Sequence, residues 1–242
     1  MIKCVLFDLD GTLLEMDEDK FTKIYLSSLF KKCFYDEDIS FENFQKYMFL
    51  SLKQMINDDR FDVTNYNKFF EIFGKYCPQI KFPSIINKIE DYYSSESFDA
   101  CRIATKSNDL VIEFIKLLKE KNIKIAICTN PFFPSTAIKK RVQWAGLNID
   151  DFEFITYSEN YHYIKPNIKY YKEVLEHLNY KPDEILMVGN DMEEDMIASQ
   201  LGINTFLITN HLISRYNAHE KFENKGDYEK FYNYLQENVL CK

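Results

Sequence analysis

The chain has 242 residues, 46% of them apolar and 28% charged, and it carries 21 Phe and 17 Tyr. So much apolar surface offsets chain entropy and excludes a disordered protein, while the length suits one large domain or a core with a smaller companion. A formal net charge of −8 without a clustered basic stripe argues against a nucleic-acid partner, and no apolar run reaches the length of a membrane span.

The first element is Cys4-Val5-Leu6-Phe7, an unbroken apolar run that reads as a buried strand. Asp8 and Asp10 interrupt its continuation and no small-residue cleavage site follows, so Ile2 to Leu14 is not a signal sequence. Residues two apart on a strand share a face, so the two carboxylates converge if the strand continues. Together they repel and lose hydration unless a divalent cation neutralises them or one stays protonated; oxygen-only ligation favours Mg2+. Gly11 and Thr12 release the chain from the strand and offer backbone amides to an anion. Alone, the pair would serve equally as a solvated acidic turn.

Between Asp17 and Asp99 there is a single glycine, Gly74, and apolar residues recur at helical spacing. Phe41, Phe44, Met48, Leu52 and Met55 make one stripe; Tyr66, Phe69, Phe70 and Phe73 make another. Four helices are expected, with breaks near Asp36-Glu37-Asp38, Asn57-Asp58-Asp59 and Pro78 to Pro83.

Beyond residue 100, strand-like runs at Ile123–Cys128, Phe152–Thr156, Ile185–Val188 and Thr205–Ile208 alternate with helical patterns. Examples are Ile168, Tyr171, Leu175 and Leu178, and later Tyr228, Phe231, Leu235 and Val239. That alternation implies a parallel sheet with helices on both faces. Gly146 and Gly202 are candidate helix C-caps, whereas Gly11 and Gly189 follow strands directly, where ligands approach parallel sheets.

Three further clusters lie at such strand ends or helix entrances. Thr129-Asn130 ends one strand and could bind a phosphoryl oxygen, although both residues commonly cap helices. In Lys165-Pro166 the proline biases Lys165 toward extended backbone at a helix entrance, where an ammonium could neutralise phosphate and carboxylate charge. Gly189 to Asp195, GNDMEED, follows the next strand; Asp191 and Asp195 share a face if a helix starts there, and Asp191 is placed to share a metal with Asp8 and Asp10. Six scattered cysteines show no zinc-ligand spacing and suit a reducing cytoplasm.

In their order and spacing, DLDGT at 8–12, Thr129-Asn130, Lys165-Pro166-Asn167 and GNDMEED at 189–195 resemble the haloacid dehalogenase (HAD) superfamily of phosphohydrolases. The resemblance implies an α/β fold, a Rossmann-like parallel sheet core over 1–16 and 100–242, with a smaller all-helical cap domain over 17–99. It implies Asp8 as the nucleophile that forms an aspartyl-phosphate and Asp10 as the acid and base for leaving group and water. Thr129 would hold the phosphoryl group, Lys165 would neutralise charge, and Asp8, Asp191 and the Asp10 backbone carbonyl would ligate Mg2+. Asp195 would position Lys165 or a metal-bound water. Many members have Gly-Asp where this chain has Gly189-Asn190, which leaves open whether Asn190 or Asp191 takes the metal position.

An aspartate at position 10 favours phosphate monoesters over carbon–halogen or carbon–phosphorus bonds in that superfamily. The expected partner is a small phosphorylated metabolite, and the expected assembly a monomer or weak homodimer. A phosphosugar mutase stays open, as do a phospho-accepting signalling module and a binding module without catalysis. Lys53, Arg60 and Lys68 in the helical insert could recognise a second anionic group, or could be solvated.

Overall fold

In chain order, the computed structural model, which describes residues 1–240, begins with β1 (Cys4–Phe7) and a short β2 (Glu15–Met16). Five helices follow: α1 (Glu18–Leu29), α2 (Phe41–Met55), α3 (Asn65–Tyr76), α4 (Phe82–Ser94) and the one-turn α5 (Glu96–Asp99). Next come β3 (Thr105–Lys106), α6 (Asp109–Glu120), β4 (Lys124–Ile127), α7 (Ser135–Trp144) and α8 (Ile168–Glu176). The chain ends with β5 (Ile185–Gly189), β6 (Asn204–Ile208), β7 (Lys225–Gly226) and α9 (Tyr228–Tyr234), which runs on as a wider turn to Leu240.

The main sheet has the order β4-β1-β5-β6-β7, all parallel. Every residue of β1 and β5 is buried, which is why both read as unbroken apolar runs rather than alternating ones. Alternate residues feed opposite layers. Val5 and Phe7 pack with α6 and α9, where Phe7 stacks on Phe114 at 5.6 Å and meets Phe231 edge-on at 6.1 Å. Cys4 and Leu6 face the other way, toward Tyr170, Tyr171 and Val174 of α8.

The run Phe152–Thr156, expected as a strand, is not one. It touches β4 only through a bridge at Ile155, with Glu153 N and Thr156 N donating to Ile125 and Ile127 carbonyls. It lies beside β4 at the sheet margin, where Ile127 N also donates to the Phe154 carbonyl at 3.1 Å, and the pairing goes no further than this one bridge. Gly146 and Gly202 do adopt left-handed backbone (φ +79° and +83°) just past α7 and a 3₁₀ turn.

Helices α1 to α5 lie between β2 and β3, which pair antiparallel, so the chain leaves and re-enters beside itself. The breaks fall where the polar clusters and prolines predict them. Asp17, Ser40 and Thr64 cap α1, α2 and α3 by accepting from Lys20, Asn43 and Asn67 amides, and Pro83 sits in the first turn of α4. The added break at Ser95 separates α5. The stripes form an aromatic interior, with Phe34 against Phe44 at 4.8 Å and Phe69 stacked on Phe73 at 5.5 Å.

A second set of bonds ties this helical segment to the sheet-bearing part far from the β2–β3 pair. Asn65 N and Tyr66 N donate to the Tyr161 and Ser158 carbonyls, both at 2.8 Å. The wholly buried Lys68 ammonium donates to the carbonyls of His162 at 2.6 Å and Asp58 at 2.8 Å. No helix among the described residues is long and apolar enough to cross a membrane.

Candidate active site

Three neighbouring strand ends converge. In the register of the sheet Phe7 lies beside both Ile127 and Val188, so Asp8 emerges level with Cys128 and Gly189. Thr129 and Asp191 follow on the flanking loops, one on each side, at the carboxyl edge where parallel sheets bind ligands. Asp8, Thr129 and Asp191 are buried yet all border one cavity of about 300 Å³.

Lys165 reaches this point from the loop before α8, through a cis Lys165–Pro166 peptide. Its ammonium is 3.0 Å from Asp8 Oδ1 and 2.5 Å from Asp195 Oδ1. Burial alone would pull Lys165 down, but Asp195 and Asp8 hold it well above its ordinary value, so it stays charged. Asp195 is pushed up to about 7 and Asp8 to about 6, in both cases chiefly by burial against the opposing pull of Lys165. Asp195 also accepts from Asp191 N at 3.0 Å, which makes it the brace between the lysine and the Asp191 loop. Gly189 is required for this: a Cβ there would lie 2.1 Å from Asp195 Oδ2. The stretch after Gly189 is a turn, and helical structure begins only at Met196 as a 3₁₀ segment, so Asp191 and Asp195 meet through that turn and not on a helix face.

Asp10 is held by Arg141, a residue that gave no motif signal. The guanidinium is 1% exposed, binds Asp10 Oδ2 through Nη1, and lies over the Phe133 ring with Cζ 4.2 Å from its centroid. Burial raises the Asp10 carboxyl above its ordinary range while Arg141 opposes the rise. Asp10 Oδ1 is buried and unpaired, as are Arg141 Nε and Nη2. Arg141 falls on the apolar stripe of α7 with Ile138, Val142 and Ala145, and an arginine at such a position was the available clue.

The amides of Gly11 and Thr12, expected as donors to an anion, are engaged within the chain, as is the side chain of Asn130, which borders the cavity. Gly11 N donates to Leu14 O at 2.8 Å and Thr12 N to Leu9 O at 3.3 Å, closing a turn in which Gly11 has φ +76°. The Thr12 hydroxyl donates to Asn190 Oδ1 at 3.0 Å, and Asn190 Nδ2 donates to His211 O at 2.7 Å, so both ends of the Asn190 amide are used. Asn130 bridges Lys165 N at 3.3 Å and Glu194 Oε2 at 2.9 Å. The Thr129 side chain borders the cavity, and its carbonyl accepts from the Thr156 hydroxyl at 2.7 Å and the Tyr170 hydroxyl at 3.0 Å.

Asp191 presents a carboxylate whose Oδ1 accepts from the Glu193 and Glu194 amides, both at 2.9 Å, while Arg215 spans its two oxygens at 2.8 and 2.9 Å. Burial and the neighbouring Asp191 push Glu194 up to about 7. Five carboxylates, Asp8, Asp10, Asp191, Glu194 and Asp195, thus face three cations, Lys165, Arg141 and Arg215. An excess of buried oxygen donors, one of them orphaned, fits a hard divalent cation. Asp8 and Asp191 with the Asp10 carbonyl would hold it, waters completing the shell. That set contains only two carboxylate side chains, which is compatible with the lack of any three-residue His, Cys, Asp and Glu cluster among the described residues. Both ends of the Asn190 amide and both Asp191 oxygens are engaged, so the two candidates differ in charge, Asp191 offering a carboxylate and Asn190 a neutral amide.

The roof of the cavity comes from α1 and α2: Phe21, Tyr25, Leu26, Met48, Phe49 and Leu52, with Glu18 at the entrance. Lys53, Arg60 and Lys68 do not border it. Lys53 is exposed, Arg60 is paired with Asp58 and Glu71, and Lys68 is buried in the tie to residues 158–163.

Known proteins share this plan. Proteins named glyceraldehyde 3-phosphate phosphatase are similar in Methanothermobacter thermautotrophicus (26% identity over 215 residues, 88% of each chain) and Methanocaldococcus jannaschii (28% over 216 residues, 86% of this chain and 85% of that one). The crystal structure of a HAD phosphatase from Thermococcus onnurineus superposes with a TM-score of 0.61 at 21% identity, covering 97% of this chain and 98% of the other. Residues 5–208 match the model of the haloacid dehalogenase-like hydrolases. That match takes in β1 to β6 and every acidic and basic group gathered around Asp8 except Arg215, and on this ground the chain belongs to the haloacid dehalogenase-like hydrolase family.

Proposed function

We propose that this hydrolase is a Mg2+-dependent phosphatase that cleaves a small phosphate monoester through an aspartyl-phosphate on Asp8. The observation that carries the reading is Asp8 itself: a buried carboxylate at a cavity floor, charge-paired to Lys165, with a second carboxylate two residues on. Asp8 attacks phosphorus, a P–O bond forms, and the ester P–O bond breaks as Asp10 gives its proton to the leaving oxygen. Burial raises Asp10 above its ordinary range, the direction a proton donor needs, while Arg141 opposes the rise and fixes its orientation. Asp10 then takes a proton from the water that attacks the phosphoaspartate, and phosphate leaves with Asp8 restored. Thr129 and Lys165 hold the phosphoryl oxygens in place. Held by Asp8, Asp191 and the Asp10 carbonyl, Mg2+ would supply positive charge that offsets the repulsion of two anions.

Residues 17–99 act in this reading as a cap whose α1 and α2 enclose the leaving group and keep out bulk water. Five buried, unpaired cysteine thiols among the described residues suit a reducing cytoplasm, and Cys241 lies outside those residues. The names of the two relatives support glyceraldehyde 3-phosphate as the first substrate to try.

The test is phosphate release from 4-nitrophenyl phosphate and glyceraldehyde 3-phosphate with and without Mg2+, in the wild type and Asp8→Asn. Release should require Mg2+ and fall at least about a thousandfold in the variant. Full activity of Asp8→Asn refutes the mechanism, and phosphoryl transfer to a sugar hydroxyl in place of release would make the chain a mutase.

A further inference from the structure

The structure assigns the leaving group of the substrate to one class, an uncharged alcohol with an apolar body, and excludes a second anionic group; this rests on the phosphatase reading above. Three observations lead to it. First, the cavity roof is hydrocarbon apart from the hydroxyls of Thr22 and Tyr25. Phe21, Leu26, Met48, Phe49 and Leu52 project from α1 and α2, Phe132 and Phe133 close the opposite wall, and the Tyr25 hydroxyl is already bonded to the Tyr93 hydroxyl at 2.7 Å.

Second, each cation near the cavity is committed to a carboxylate of the floor. Lys165 lies between Asp8 and Asp195, Arg141 holds Asp10, and Arg215 spans Asp191. None of Lys53, Arg60 and Lys68 reaches the cavity. The one charged side chain that α1 and α2 bring to its wall is the exposed acid Glu18. A carboxylate or second phosphate on the leaving group would be repelled by the floor acids and Glu18 and would find every nearby cation already neutralised by a carboxylate, although Arg141 Nε and Nη2 still have no partner.

Third, a smaller chamber of about 100 Å³ adjoins the cavity. The two share Tyr25, Met48, Leu52, Phe132 and Phe133 as wall, and the chamber continues among Leu29, Phe34, Phe69, Phe70 and Ile89. It is smaller than the roughly 150 Å³ apolar cavity that accepts benzene, so it takes a branch of a few carbons rather than a ring. Leu52 and Phe132 are only partly buried and stand at the junction of the two spaces. Glyceraldehyde 3-phosphate, with its uncharged leaving group, satisfies the charge rule but leaves the chamber unfilled.

The test uses the full chain with Mg2+ and two simple alkyl esters, 3-methylbutyl phosphate and 2-phosphoglycolate, with 4-nitrophenyl phosphate as a reference. The kcat/KM for 3-methylbutyl phosphate should exceed that for 2-phosphoglycolate at least about tenfold. Leu52→Lys, which sets an ammonium in the roof, should shift that ratio at least about tenfold toward 2-phosphoglycolate, and Glu18→Gln should shift it the same way by a few-fold. Equal rates on the two alkyl esters, a preference for 2-phosphoglycolate, or a ratio unmoved by Leu52→Lys overturns the assignment while leaving the phosphatase intact. No phosphate release from any of the three esters overturns the phosphatase reading instead.

Discussion

Replacing Arg141 by Met removes a guanidinium that is 1% exposed while keeping an unbranched stem between Phe21 and Phe133. Asp10 then loses its cationic partner in direct contact, leaving a partly buried carboxylate whose Oδ1 already has no partner. Two unit charges near 4 Å attract by about 4 kcal/mol at an effective dielectric of 20, and removing one member of a buried pair typically costs about 3–5 kcal/mol. Met retains much of the packing, so a loss of about 3 kcal/mol is expected, a fall in Tm of roughly 6–12 °C for a chain of this size. Urea melts of wild type, Arg141→Met, Asp10→Asn and the double variant form the cycle that isolates the pair. Because a neutral amide at position 10 needs no counter-charge, Arg141→Met should cost at least about 1.5 kcal/mol less in the Asp10→Asn background. Equal cost in both backgrounds would show that Arg141 acts through its stem and not through Asp10.

Two other perturbations test the scaffold around the site. Gly189→Ala puts a methyl group 2.1 Å from Asp195 Oδ2 and should force Asp195 off Lys165, lowering kcat/KM about a hundredfold and stability by about 1–3 kcal/mol; kinetics like the wild type would mean that Asp195 does not position the lysine. Lys68→Met strips the His162 and Asp58 carbonyls of their charged donor, at an expected cost of about 2–4 kcal/mol. Amide hydrogen exchange in residues 57–64 should accelerate in that variant, and an unchanged exchange pattern would show that the tie does not depend on Lys68.

The pieces legible in the sequence are those whose physics is local. A fully buried parallel strand must be apolar throughout, so β1, β4, β5 and β6 could be recognised, and the residues just past them define the floor of the cavity. Breaks between the helices of 17–99 are legible in the polar clusters Asp36-Glu37-Asp38 and Asn57-Asp58-Asp59 and in the prolines Pro78 to Pro83, and the caps Ser40 and Thr64 lie just beyond the two clusters. Phe152–Thr156 has the composition of a strand but lies at the margin of the sheet, and composition does not report how many neighbours a strand has. The partners of the acids were hidden by distance along the chain. Arg141 meets Asp10 across 131 residues, and Arg215 meets Asp191 across a loop with no helical or strand period. Gly11 and Thr12 looked like free donors because nothing local shows that Leu9, Leu14 and Asn190 use them.

The order of the strands also dictates how the molecule is made. β1 leaves the ribosome ahead of its sheet neighbours and stands between β4 and β5, which begin about 120 and 180 residues later. At roughly 5–20 residues per second, β1 waits about 6–24 s for its first neighbour and about 9–36 s for its second. Helices α1 to α5, whose contacts are short in sequence, can form within that interval, whereas Cys4 to Phe7 cannot bury their edges until the far half arrives. The nascent chain therefore carries an incompletely paired apolar strand until Ile185 to Val188 have emerged, and a truncation that stops before Ile185 leaves one flank of β1 open to pairing with another chain.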